Sequence, residues 1–400
     1  MSKENWKFDT ICALPWTHLA SNPDGSILPC CYYYRFKKDF GNIDDADFNE
    51  LYNGELFKEL RLKLLNGEKP DECTKCFGRE ALGRGSMRTR YNATKWAKET
   101  IREIPTITNE DGSLNKIKIK YWDVRFSNIC NMACIMCGSD FSSKWAAELG
   151  LNKETKVLKN FEKSKTYQFI DDNIENVEEI YFAGGEPLIM DEHYYIMDKL
   201  VKLGKTNVNL RYNTNMLKME HKGKSVLDYW KIWKGNLDIA PSIDAIGSRA
   251  EYIRYGTDWN KVDTNLKTLV DMGFKVEPLV AVGIHNILHL EDLYKYFLSI
   301  GIRNVGFNMI DNTQYNILWA PQQLKDDALT VYNTAINNLG NHPGLKTATV
   351  EIKTRLEQKT DSSLSTFPEA VNRIDRMRKL NFWNAFPELK KYYVGAGRDD

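Results

Sequence analysis

Histidine is scarce in this chain, with six scattered through 400 residues, so a histidine-rich metal site has little to be built from. Net charge is also nearly absent. Fifty-five Lys and Arg against 54 Asp and Glu leave +1 at pH 7. A chain so balanced has no basic field for general capture of nucleic acid, and a nucleic-acid partner is not expected. No apolar run approaches the length of a membrane span, and the N-terminal MSKENWKFDT has no apolar core of a signal peptide. Internal repeats and low-complexity tracts are lacking as well. What the chain does have is eight cysteines. Without an export signal these point to a reducing, cytoplasmic setting and to metal ligation rather than disulfides. The length exceeds what one compact core usually holds, so two or three structural units are expected.

Three of the cysteines lie in NICNMACIMCGSD as Cys130, Cys134 and Cys137, a Cys-x3-Cys-x2-Cys spacing with no fourth cysteine nearby. Structural zinc sites usually close all four positions with paired ligands, whereas thiolates are the usual ligands of iron–sulfur clusters. Three ligands on a cubane leave one iron open to a substrate or cofactor. The preceding Ile117–Phe126 alternates and is rich in β-branched and aromatic residues, which predicts a strand, and Ser139–Leu151 predicts a helix. The thiolates then sit at the C-terminal end of a first strand, where α/β folds place their chemistry. A second strand, Val177–Ala183, runs into Gly184-Gly185-Glu186-Pro187, whose two glycines allow close backbone approach to a ligand.

Further strands are predicted at Val208–Tyr212, Leu237–Ser242, Phe274–Gly283 and Asn304–Ile310, with helices such as Asp191–Leu203, Lys261–Met272 and Leu290–Ile300 among them. Alternation at this spacing argues for parallel βαβ packing. Six units are too few for a closed eight-fold barrel and suggest an open one, whose lateral opening would admit a peptide. Beyond Gln322 the pattern turns helical and polar, ending in a predicted helix pair that covers the barrel.

The first hundred residues hold a second cysteine set. Cys12 and Cys30 flank the turn Asn22-Pro23-Asp24-Gly25, which predicts a β-hairpin with the two cysteines at adjacent ends. Cys73 and Cys76 form a Cys-x2-Cys knuckle. Four converging thiolates make a closed site, and spacing alone leaves zinc and 4Fe–4S both open. Cys31 reads as a buried or merely adjacent thiol, with replacement of Cys30 as ligand and hydrogen-atom donation as alternatives. His18, His285 and His289 read as ordinary hydrogen-bonded residues. Tyr32-Tyr33-Tyr34 could stack a substrate or belong to a strand of the small domain. Asp123 and Arg125 share a strand face and form either a salt bridge or part of the reactive cavity, and Asn308 is a similar cavity candidate.

The three-cysteine loop followed by a Gly-Gly-Glu turn resembles the radical S-adenosylmethionine (SAM) enzymes. That resemblance implies a partial (β/α)6 barrel of α/β class and a 4Fe–4S cluster on Cys130, Cys134 and Cys137, its open iron chelated by the amino and carboxylate groups of SAM. It places Gly184, Gly185 and Glu186 at the SAM amino group. Asn213 and Asn215, following the third strand, would make polar contacts to SAM. Ser242 and Asp244 would meet its ribose and methionine ends, and Arg254 its carboxylate. Met136 stands where the family usually has an aromatic residue near the adenine, and a thioether can also cover a π-face.

The N-terminal set looks like a twitch domain, the half-length SPASM domain. This assigns a second, auxiliary 4Fe–4S cluster to Cys12, Cys30, Cys73 and Cys76. Twitch domains usually follow the barrel, and this one precedes it. The implied division is 1–105 for the auxiliary domain, 115–320 for the barrel and 321–400 for a C-terminal helical extension.

The implied activity is reductive cleavage of SAM to a 5′-deoxyadenosyl radical, hydrogen abstraction, and oxidation or cross-linking of a peptide or small-molecule substrate. An external one-electron donor such as flavodoxin or ferredoxin would supply it. The alternatives are a redox-neutral epimerase or mutase with a structural auxiliary cluster, and a non-enzymatic iron–sulfur or zinc protein.

Overall fold

Strand β1 (His18–Ser21) turns back into β2 (Ile27–Leu28) with Ala20 opposite Leu28, closing the predicted hairpin. In the computed structural model, which describes residues 3–33, 39–151, 163–339, 343–361 and 365–393, the turn is fixed by Asp24, whose carboxylate accepts from the Ser26 amide at 3.1 Å, and by Gly25 at φ +86°. The chain separates into two compact units. The first comprises Met1–Ile129, Leu158–Arg211 and Asp228–Leu237, and the second Cys130–Val157, Tyr212–Leu227 and Asp238–Asp400.

In the first unit β1 also pairs in parallel with β3 (Tyr121–Val124), His18 opposite Tyr121 through Ser21 opposite Val124. The N-terminal hairpin therefore extends the sheet instead of standing apart from it. Next come β4 (Glu179–Phe182), parallel to β3, and the start of β5 (Asn209–Thr214), where the Asn209 amide donates to the Glu178 carbonyl at 2.9 Å. Trp122, Val124, Ile180, Phe182 and Leu210 share one face of these strands and Tyr121, Asp123, Glu179 and Arg211 the other by the strand period of two, and all but the half-buried Arg211 are buried.

The helix Lys95–Ile107 begins at the Thr94 cap and buries Trp96, Ala97, Thr100 and Ile104, one stripe at helical spacing. Its Trp96 and Ala97 join Ala13, Leu14, Tyr91 and Tyr121 in a core against which Cys12 and Cys30 pack. Each large apolar side chain buried there is worth roughly 1.5–3 kcal/mol. Cys12 is not at a strand end as the hairpin reading expected. The helical turn Leu14–Thr17, opened by Pro15, lies between it and β1.

In the second unit the end of β5 receives the Ser242 amide on the Thr214 carbonyl at 2.8 Å, just past β8 (Leu237–Pro241). The small ribbon β6 (Glu220–His221) and β7 (Lys224–Ser225) lies between β5 and β8 in the chain. Parallel bridges Ile239–Val276 and Ser242–Leu279 lead to β9 (Leu279–Val282), which pairs in parallel with β10 (Gly306–Met309). All six predicted strands are present, mostly shorter than expected. Asn213 and Thr214 lie within β5, not beyond its end, because strand hydrogen bonding continues through Thr214. The C-terminal segment is helical, as expected: Phe367, Phe382 and Phe386 build an aromatic cluster with Tyr252, whose hydroxyl donates to Asp375 at 2.7 Å. No helix among the described residues is long and apolar enough to cross a membrane.

Candidate active site and the two cysteine sets

The loop carrying Cys130, Cys134 and Cys137 is held by the residues between and after them. Met132, Ala133 and Ile135 are buried, and the Ala133 and Ile135 amides donate to the carbonyls of Tyr255 and Ile253 at 2.8 and 2.9 Å. Ser142 caps the helix Ser143–Glu148 and also donates its hydroxyl to the Met132 carbonyl at 2.7 Å. The Trp145 indole donates to the Cys134 carbonyl at 2.6 Å, and the Cys130 amide to the Ser143 hydroxyl at 3.2 Å. With the backbone pinned by buried neighbours, Cys137 is exposed, Cys130 partly so, and Cys134 is buried.

Arg254 pairs with Asp244 in the same unit, Nε to Oδ2 at 2.8 Å, and its Nη1 donates to the Cys134 sulfur at 3.6 Å. The other Asp244 oxygen accepts from the Ala281 amide at 2.7 Å, so this carboxylate is buried and engaged on both sides. Burial pushes the Cys134 thiol pKa up, and Arg254 pulls it back. Asn215 donates to the Asn131 side chain at 2.7 Å, a link to the cysteine loop that sequence gave no sign of. Asn213 and Ser242 are half-buried.

The Gly-Gly-Glu turn belongs to the first unit. Gly184 and Gly185 have φ of +77° and +58°. A Cβ on Gly184 would meet the Arg125 side chain at 2.6 Å, and one on Gly185 the Ile129 carbonyl at 2.3 Å. Glycine is required at both positions by φ and by space. The Glu186 amide donates to the Ile129 carbonyl at 2.7 Å, and its carboxylate accepts from the Leu188 amide at 3.1 Å, capping the short helix Pro187–Ile189.

In the same unit Cys12, Cys30, Cys73 and Cys76 line one cavity with Leu14, Tyr32, Phe77, Met87 and Arg88. Burial first, and then the neighbouring thiols Cys73 and Cys76, push Cys12 up to about 12 against the opposing Arg88; Cys73 likewise reaches about 12. Such thiols ionise together only around a cationic centre. Among the described residues no three His, Cys, Asp or Glu side chains converge on a single metal ion. Four of the cavity's donors are thiols and a fifth is the Glu72 carboxylate, a sulfur-rich set of the kind that holds an iron–sulfur cluster.

Cys31 does not line this cavity. Its sulfur lies 3.7 Å from that of Met87, and it is coupled electrostatically to Asp123 and Arg125. Asp123 and Arg125 form the salt bridge, at 3.1 Å. Tyr32 and Tyr33 follow β2 in a turn and not in a strand, Tyr34 lies outside the described residues, and Asn308 is exposed. His18 is buried against Tyr121 and His289 bridges Arg249 and Glu388. His285, contrary to expectation, is buried edge-on to Tyr315 and within reach of the Arg254 charge, with neither ring nitrogen hydrogen-bonded among the described residues. Arg88 was missed by sequence reasoning, since nothing in SMRTRYN marks it off from other surface arginines.

Residues 12–77 match the family model for the SPASM iron–sulfur cluster-binding domain, and residues 124–297 that for the radical SAM superfamily. Together the two stretches cover more than half of the chain. The chain belongs to the radical SAM superfamily and carries an N-terminal SPASM-type auxiliary iron–sulfur domain. It is a radical SAM enzyme, whose cofactors are a 4Fe–4S cluster, an auxiliary iron–sulfur cluster and SAM.

An uncharacterised protein of Methanocaldococcus jannaschii, MJ0907, is 23% identical over 236 residues, covering 56% of this chain and 73% of that protein. Among solved structures, anSMEcpe with bound AdoMet is 16% identical with a TM-score of 0.39, covering 52% of this chain and 56% of its own. This chain thus spans little more than half the length of that enzyme. SuiB of Streptococcus suis, bound to precursor peptide SuiA, is 14% identical with a TM-score of 0.38, covering 87% of this chain and 70% of its own.

Proposed function

We propose that Cys130, Cys134 and Cys137 hold the SAM-binding cluster and that Cys12, Cys30, Cys73 and Cys76 hold the auxiliary one, a twitch-type site. When bound, the first cluster and SAM supply a one-electron cleavage giving a 5′-deoxyadenosyl radical that removes a substrate hydrogen atom. The chain's own part is to hold and shield these groups. Gly184, packed against the Arg125 side chain, and Gly185, packed against the Ile129 carbonyl, shape the turn that Glu186 fixes, and these three residues are proposed to receive the SAM amino group. Asn213, Asn215 and Ser242 offer polar contacts to SAM, and Asp244 and Arg254 sit as a pair beside Cys134. A barrel of this kind takes a peptide or small-molecule substrate and draws its electron from an external donor such as flavodoxin or ferredoxin.

The net reaction proposed is oxidation or cross-linking. The observation that carries it is the set of four thiols around one cavity. Four cysteines saturate a cubane, so this site suits electron acceptance and not substrate ligation. A cluster held by Cys12, Cys30, Cys73 and Cys76 would supply an acceptor for the electron that a substrate radical gives up, along with a proton, on the way to an oxidised product. The test is a Cys73→Ala, Cys76→Ala variant, monitored by the ratio of oxidised product to 5′-deoxyadenosine, with a melting curve as control. SAM should still be cleaved while oxidised product falls away. An unchanged ratio in a folded variant rules out electron acceptance. A redox-neutral reading is favoured only by Cys31, which sits beside Asp123 and Arg125 and outside the thiol cavity.

A further inference from the structure

Arg254 is spent on neighbours in a way that a simple carboxylate clamp is not. Its Nε is paired with the buried Asp244 at 2.8 Å and its Nη1 donates to the Cys134 sulfur at 3.6 Å. The Arg254 backbone is set at the C-terminal end of helix Gly247–Ile253, its amide donating to the Ala250 carbonyl at 2.8 Å. The adjoining Ile253 and Tyr255 carbonyls accept the Ile135 and Ala133 amides, so the arginine and the cysteine loop are locked to each other through backbone. Asp244 is locked in turn by the Ala281 amide. A guanidinium is planar, always charged and fixed in fork geometry, so a carboxylate on one edge decides where the other edge points. Here the other edge points at a cysteine sulfur.

We propose that Arg254 raises the reduction potential of the SAM-binding cluster by a charge-assisted hydrogen bond to the Cys134 thiolate, with Asp244 as the positioning residue. The inference rests on Cys134 being a ligand of that cluster. Hydrogen bonds to cluster sulfurs and local charge are among the factors that set such potentials. Reduction adds one negative charge to the cluster and its thiolates. A cation held against one sulfur therefore stabilises the reduced form more than the oxidised one. A buried ion pair is costly to assemble and weak evidence for stability, so a role in orienting charge accounts better for Asp244 and Arg254 than a role in holding the fold.

The test is an EPR-monitored redox titration of the full chain, reconstituted without oxygen and without SAM, comparing wild type with Arg254→Gln and Arg254→Lys. Arg254→Gln should shift the midpoint of the cluster that depends on Cys130, Cys134 and Cys137 to more negative potential. The auxiliary midpoint should stay where it was, which serves as the internal control. Arg254→Lys keeps the charge but loses the fork, and its midpoint should fall between the two. An unchanged midpoint in Arg254→Gln overturns the proposal, and a fall in SAM affinity alongside would assign Arg254 to the SAM carboxylate instead. If Arg254→Gln holds no cluster, Arg254→Lys decides: a midpoint below wild type supports the proposal and one equal to it overturns it. A wild-type protein whose iron signal does not depend on the three cysteines would refute the underlying ligand assignment, an outcome separate from any shift in midpoint.

Discussion

Gly185 shows how tightly single residues are specified here. At φ +58°, with the Ile129 carbonyl 2.3 Å from where a Cβ would stand, Gly185→Ala must bend the strand-end turn away from the residue preceding Cys130. The expected cost is about 1–3 kcal/mol of stability, read as a lower denaturant midpoint, together with weakened SAM binding by equilibrium dialysis. His18 gives a pH signature. Burial lowers its pKa from 6.5 to about 3, and its Nδ1–H donates to the Tyr121 carbonyl at 2.9 Å. A neutral imidazole in the folded state that prefers a proton when unfolded contributes full stability above pH 6.5, and that contribution is lost as pH falls toward 3. His18→Phe should keep the ring stacked on Tyr121, cost about 1 kcal/mol at pH 7 for the lost hydrogen bond, and flatten the decline of the urea midpoint below pH 6.5. Parallel curves for the two proteins would contradict this. The cysteines and glycines at these sites were legible in the sequence because their chemistry or backbone freedom admits few substitutes. The Arg254–Cys134 contact was not, since sequence shows which cation is present but not which partner it chooses.

At the scale of elements, the βα alternation foretold every strand from β3 to β10 that belongs to the parallel series, because apolar residues recur with period two between helical stripes. Strand ends were less legible. Asn213 and Thr214 look like turn residues by type, yet backbone pairing carries β5 through them. The role of β1 was hidden for a related reason: its partner β3 lies a hundred residues away, and no local pattern announces parallel pairing. Long-range ties also hold the auxiliary cysteines. Arg88, on the helix Met87–Asn92, forms an ion pair with Glu80 on the helix Thr74–Ala81 and donates to the Ile11 carbonyl at 3.0 Å, next to Cys12. It thereby couples the knuckle of Cys73 and Cys76 to the segment carrying Cys12. Arg88→Met should leave the three-cysteine loop intact but lower iron from about eight per chain toward about four. Iron analysis with sulfide analysis checks this, and full iron content in the variant would show that the cysteines find one another without the tie.

For the molecule as a whole, the two family matches enclose the two cysteine sets separately, residues 12–77 around Cys12 through Cys76 and residues 124–297 around Cys130 through Arg254. On the proposed ligand assignment the chain carries two sulfur-based centres with different ligand counts, one saturated and one left open, and this difference underlies the proposed division of labour. The central claim is that Cys130, Cys134 and Cys137 make the open centre. Its most direct test is SAM cleavage by protein reconstituted without oxygen, comparing wild type with a variant in which these three cysteines are replaced by Ala. The account predicts that the variant forms no 5′-deoxyadenosine while still assembling the auxiliary cluster, with about four irons per chain. Continued production of 5′-deoxyadenosine by the triple variant would contradict it.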